Sequence, residues 1–233
     1  SHLMAHAKPD NIVVSANAVR EGMLYSILTP KYRALDPLLL ACEEMAERLC
    51  KSADYGHELA VWSSKVYKNS NWTLGSKKAF SRLREAGCLI SDVAWSSHPS
   101  WRADTVRQVV LTAPFSGIRH EERVFLAHAL AYRHEVDGGE MKYGPLDLCT
   151  SDRRLARALG LSFRLAHSLS ASLPGALPMT RLNAGPNYLT LKIDPSRSEL
   201  MGPIISNRLA AVASELDLKP RLQIKPVKDF SVP

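Results

Sequence analysis

The chain has 233 residues, four of them cysteines, and carries a formal charge of +7 with an isoelectric point near 9.3. A hydrophobic share of 45% beside 23% charged residues is that of a folded domain and excludes a disordered chain. The longest apolar runs, such as Val124 to Tyr132, are too short to span a bilayer, and the basic excess favours polyanionic partners without choosing among them.

Ser1-His2-Leu3-Met4 reads as the scar of a cleaved expression tag and is left out of fold reasoning. From Val14 an apolar run feeds a polar turn, an Arg20-Glu21-Gly22 step and an amphipathic helix. Asp36-Pro37 is an N-cap followed by a first-turn proline, and Leu38, Leu39, Cys42, Met45, Ala46 and Leu49 recur at helical spacing behind it. A second helix starts near Tyr55 and carries Leu59, Trp62, Val66 and Tyr67. A third, Lys77 to Gly87, is stopped by its C-terminal glycine. Trp101 to Leu111 is a fourth, ended by Pro114, and His120 to His134 a fifth, opened by Ser116. A sixth runs from Asp152, its expected N-cap, to Leu173 before Pro174-Gly175.

Composition changes after Pro178. Met179 to Leu182 and Tyr188 to Ile193 read as strands around an Asn183-to-Asn187 loop, Ser198 to Leu216 as a helix and Arg221 to Lys225 as a third strand. The expected fold is mainly α. A helical domain over residues 29–177 follows a junction at residues 5–28, and a small α+β unit occupies residues 178–233. Cys42, Cys50, Cys88 and Cys149 make no C-x-x-C pair, and eight residues of helix, about 12 Å of rise, put Cys42 and Cys50 beyond disulfide reach. They read as buried thiols of a cytoplasmic protein. Trp62, Trp72, Trp95 and Trp101 are expected in the core or at domain contacts, and His128, within an apolar run, as a core histidine.

Ser15 to Gly22 resembles the segment that closes the actin-like catalytic half in the exopolyphosphatase and guanosine pentaphosphate phosphohydrolase (Ppx/GppA) family. The resemblance implies that the chain starts where a catalytic half ends. The helical part resembles a degenerate HD domain. His57 stands where an early metal-binding histidine would be, Leu83-Arg84-Glu85-Ala86-Gly87 where a Leu-His-Asp-x-Gly step would be, and His167 at a late aspartate. A guanidinium has no electron pair to donate to a metal and repels a divalent ion, so no metal is expected at these vestigial positions.

Arginine attracts what it denies the metal. Arg84, Arg102, Arg107, Arg133, His134 and Arg164 come from helices that converge in an HD-like fold, and together they suit a chain of phosphates. Surface ion pairs with Asp104 or Glu135 are the plainer account of any one of them. The resemblance implies inorganic polyphosphate as partner, a homodimer, and a parent enzyme that releases terminal phosphate from polyphosphate or guanosine pentaphosphate, using magnesium bound in the catalytic half. No cofactor is expected in this chain, which lacks glycine-rich phosphate loops, a P-loop and a G-x-S-x-G motif. Two other readings stand beside this one. An HD-type metal phosphohydrolase would hold its metal on His57, Glu85 and His167. A basic nucleic-acid-binding module is disfavoured, because no reader motif is present and the arginines form no stripe.

Overall fold

The structure, a computed structural model, describes residues 2–10, 18–67, 72–135 and 148–227. Ser15 to Asn17 of the junction segment and the Gly138-Gly139 step lie outside them. Contacts divide the chain into two compact units, Ser1–Asp36 and Pro37–Pro233.

The first unit holds helices α1 (His2–Ala7), α2 (Val19–Ile27) and α3 (Pro30–Arg33). The Arg20-Glu21-Gly22 step forms the first turn of α2. There the Glu21 carboxylate accepts the Ala18 N–H at 2.7 Å, which satisfies one donor that the helix itself cannot. Leu28 turns extended and ends the helix, and Pro30, with its φ preset, opens α3.

The second unit begins with α4 (Pro37–Leu49), α5 (Ala53–Ser63) and α6 (Lys77–Leu89). α7 (Arg102–Thr112), α8 (His120–Tyr132) and the long α9 (Thr150–Ser170) follow. α9 packs between α8 and α10 (Pro203–Glu215), and α7 lies on α8. Close approach of α8 and α9 depends on Gly160. A Cβ there would land on the Ala129 carbonyl oxygen and 2.7 Å from Tyr132 Cβ.

β1 (Thr180–Ala184) pairs antiparallel with β2 (Tyr188–Ile193), and β2 pairs parallel with β3 (Lys219–Ile224), α10 making the crossover. Every second residue of β2 (Leu189, Leu191, Ile193) is buried, each supplying roughly 1.5–3 kcal/mol of apolar burial. These side chains belong to the same core as Leu59, Leu126 and Leu165 of the helices. Trp62 joins the two parts by donating from Nε1 to Thr180 Oγ1 at 2.9 Å.

Several expectations need correction. Gly87 does not stop α6. It lies inside the helix, where a Cβ would come within 3.2 Å of Leu126 and 3.3 Å of Phe163, so this glycine makes room for α8 and α9. α8 is opened by Arg119, whose N–H the Glu122 carboxylate accepts at 2.9 Å, and not by Ser116. Cys149, not Asp152, caps α9. Asp152 sits in the first turn, buried, and accepts the Thr73 N–H at 3.1 Å and the Thr73 hydroxyl. α9 ends at left-handed Ala171, ahead of Leu173. The expected Ser198-to-Leu216 helix is broken: a 3-10 turn over Pro195–Leu200 precedes extended Gly202, and Pro203 starts α10 afresh. Cys42 and Cys88 are buried as expected, Cys50 is half-buried and Cys149 exposed. Trp95 and Trp101 are likewise not core residues, standing 43% and 68% exposed.

A candidate anion-binding pocket

Four elements of the second unit bring cationic side chains to one cavity of about 160 Å3. α7 contributes Arg102 behind Pro99, the end of α8 contributes Arg133 and His134, α9 contributes Arg164 and His167, and α10 contributes Arg208. Arg164 and His167 share a face of α9 because three residues make nearly one helical turn.

Each guanidinium is held differently. Arg102 donates from Nε to Ser97 O at 3.0 Å and from Nη2 to Trp95 O at 2.8 Å. Arg133 donates from Nη1 to Ser91 O and from Nη2 to Asp92 Oδ1 at 2.5 Å. Arg208 donates from Nη1 to the Arg164 carbonyl at 3.1 Å. Arg164 Nη1 is buried and has no partner among the described residues, and the same is true of His134 Nε2.

Arg133 also donates to His167 Nδ1 at 3.2 Å. Ser172 Oγ lies 2.9 Å from the same Nδ1 and accepts from Arg133 Nη2 at 3.1 Å. Burial, and then the charges of Arg133 and Arg102, hold His134 down at about 3. Burial, and then Arg133, hold His167 at about 4 against a smaller upward pull from Asp92. Both rings are therefore neutral near pH 7, while four guanidiniums line the cavity and one of them, Arg133, is paired with Asp92. Such a pocket attracts an oxyanion and can grip it with charge-assisted, forked hydrogen bonds.

Of the residues singled out from sequence, Arg102, Arg133, His134 and Arg164 come together here, joined by His167 from the vestigial metal set. Arg107 does not. Its Nη1 is bound to Asp104 at 2.6 Å and its Nη2 to Glu135 at 2.8 Å, the ion pairs that the sequence offered as its plainer account. Arg84 lies in a different cavity, with Nη1 donating to Ala60 O at 2.6 Å and to Ser63 Oγ at 2.7 Å. Sequence reasoning missed Arg208. Its only signal is position on α10, whose docking against α9 no local pattern encodes. Among the described residues no three His, Cys, Asp or Glu side chains converge to hold a metal ion, so His57, Glu85 and His167 do not form the ligand set of an HD-type centre.

The second unit is mainly helical with a small mixed sheet, and its arginine pocket lies where the ends of α8, α9 and α10 meet α7. The family model described as "Exopolyphosphatase, C-terminal" matches residues 38–220, nearly the whole second unit. The chain belongs to this family and represents the C-terminal region of an exopolyphosphatase. Comparison with curated proteins gave no match. Among the described residues no helix is long and apolar enough to cross a membrane.

Proposed function

We propose that this chain binds inorganic polyphosphate in the pocket of Arg102, Arg133, Arg164 and Arg208, holding the polymer while a catalytic half outside it releases the terminal phosphate. The observation that carries the reading is the pair of buried nitrogens, Arg164 Nη1 and His134 Nε2, that have no partner among the described residues, at a cavity lined by four guanidiniums. Buried polar nitrogens of this kind are costly unless a ligand satisfies them. Among the described residues the lining has no Phe, Tyr or Trp on which a guanine could stack, which favours the polymer over guanosine pentaphosphate. Magnesium belongs with the catalytic half in this reading, and the helical part is a degenerate HD scaffold with Arg84 in the place of a metal-binding histidine.

The test is calorimetric titration with tripolyphosphate at several salt concentrations. Arg164→Ala with Arg208→Ala should lower affinity by roughly tenfold or more and flatten the salt dependence. Lys219→Ala with Lys225→Ala removes the same charge from exposed positions and should change affinity by less than about twofold. Equal losses would mean diffuse electrostatics and would overturn the pocket.

The same reading has the protein cytoplasmic and paired as a homodimer. Met201, Ile204 and Ile224 are exposed, and the parallel register brings them to one end of the β2–α10–β3 crossover. Light scattering of Ile204→Glu checks the pairing, and an unchanged dimer would exclude this surface.

A further inference from the structure

A second cavity, of about 230 Å3, lies along α6, with Tyr67, Trp72 and Phe80 in its wall. Arg84 lines it and is only 7% exposed, yet among the described residues it has no carboxylate within ion-pair distance. Its Nη1 is committed to three neutral acceptors, Ala60 O, Ser63 Oγ and, at 3.9 Å, Cys88 Sγ. A full charge buried against neutral dipoles alone is expensive, and in an aromatic, low-dielectric wall its attraction for an anion is correspondingly strong.

The rest of the cavity matches that demand. Lys77 lies seven residues before Arg84, two helical turns along the same face of α6, and stands exposed at the rim. Ser81, between them on that face, adds a hydroxyl, whereas the Ser64 hydroxyl donates to Val61 O at 2.8 Å. Phe80 and Trp72 lie tilted at 53° with centroids 5.4 Å apart, so part of the wall beside the cations is aromatic. An inorganic phosphate would use the cations and leave that wall unused.

We propose that this cavity is a separate site for a small aromatic anion, its carboxylate or phosphate head meeting Arg84 and Lys77 and its ring lying against Trp72 and Phe80. The site is distinct from the arginine pocket and does not rest on the polyphosphate reading.

The experiment titrates the protein with phenyl phosphate, benzoate and inorganic phosphate, followed by calorimetry and tryptophan fluorescence. Phenyl phosphate, benzoate or both should bind saturably, the stronger of the two identifying the head, and inorganic phosphate should bind about tenfold or more weakly because it lacks the ring. Arg84→Met should lower aromatic affinity by about tenfold or more, and Lys77→Ala several-fold. The Arg164→Ala, Arg208→Ala protein should retain aromatic binding, which separates failure of this site from failure of the polyphosphate pocket. Should Arg84→Met not fold, the exposed Lys77→Ala decides alone. No saturable aromatic binding, inorganic phosphate binding as tightly, or affinity untouched by the substitutions would each overturn the proposal.

Discussion

Arg133 and Asp92 form a buried ion pair, Nη2 to Oδ1 at 2.5 Å, with side chains 4% and 5% exposed. Arg133 closes α8, and Asp92 comes from the turn after α6, so the pair fastens two helix ends and sets a negative charge against a cationic side chain of the pocket. Asp92→Asn keeps the shape and removes the charge. Leaving a buried guanidinium uncompensated should cost about 3–5 kcal/mol, measured by urea unfolding. Tripolyphosphate should then raise the Tm of the variant more than that of the native protein, because the ligand replaces the missing negative charge. An equal rise in both would mean that Arg133 does not meet the ligand.

The two pocket histidines set a pH dependence. Their folded values, about 3 for His134 and about 4 for His167, lie below the ordinary value near 6.5. Between those limits the unfolded chain binds more protons than the folded one, so stability falls as pH drops from about 6.5 toward 4 and returns as it rises. The groups facing the rings are Arg102, Arg133, Arg164, Arg208 and Lys51, all cationic, and Asp92. His134→Gln should flatten the slope of stability against pH in that window relative to the native protein.

An anion in the pocket reverses part of this electrostatics. It offsets the arginine charge and accepts from the rings, so both histidines should take up protons as tripolyphosphate binds. Affinity should rise between pH 7.5 and 5.5, and the calorimetric heat should depend on the ionisation enthalpy of the buffer. A heat independent of buffer would show that the histidines stay neutral.

The proposed division of labour puts the catalytic groups outside this chain. The sequence holds no glycine-rich phosphate loop, and no three metal-ligating side chains converge among the described residues. Polyphosphate incubated with this chain, with or without magnesium or manganese, should release no more phosphate than buffer. Metal-dependent release above that control would count against the proposed division of labour.

Much of the helical framework was legible because its signals are local. The Leu38, Cys42, Ala46 spacing, the Asp36-Pro37 start and the alternation in Tyr188 to Ile193 each depend on a few neighbouring residues. Errors arose where long-range packing overrode those signals. Gly87 looked like a stop but serves the approach of α8 and α9, and Ser116 lost its capping role to Arg119 with Glu122. The site was legible in residue type and only partly in grouping. Arg102, Arg133, His134 and Arg164 meet, whereas Arg107 is taken by carboxylates and Arg84 faces another cavity. Arg208 required the docking of α10 on α9, which no spacing in the sequence reveals.

Gly160 offers a test of the helix crossing on which the pocket is built. In an exposed helix, Gly→Ala would stabilise by about 1 kcal/mol through reduced chain entropy. Here the added methyl would meet the Ala129 carbonyl oxygen and Tyr132 Cβ, backbone and branch point rather than a mobile side-chain end, so it can be accommodated only by moving α8 away from α9. Overpacking of this kind costs about 1–3 kcal/mol or more and should outweigh the gain in propensity. Gly160→Ala should therefore lower Tm, and because α8 carries Arg133 and His134 while α9 carries Arg164 and His167, it should also weaken tripolyphosphate binding. Gly22→Ala, where no atom lies within 4 Å of the new methyl, is the control and should leave affinity unchanged. A Gly160→Ala protein with undiminished Tm would mean that the two helices are not in the close contact described.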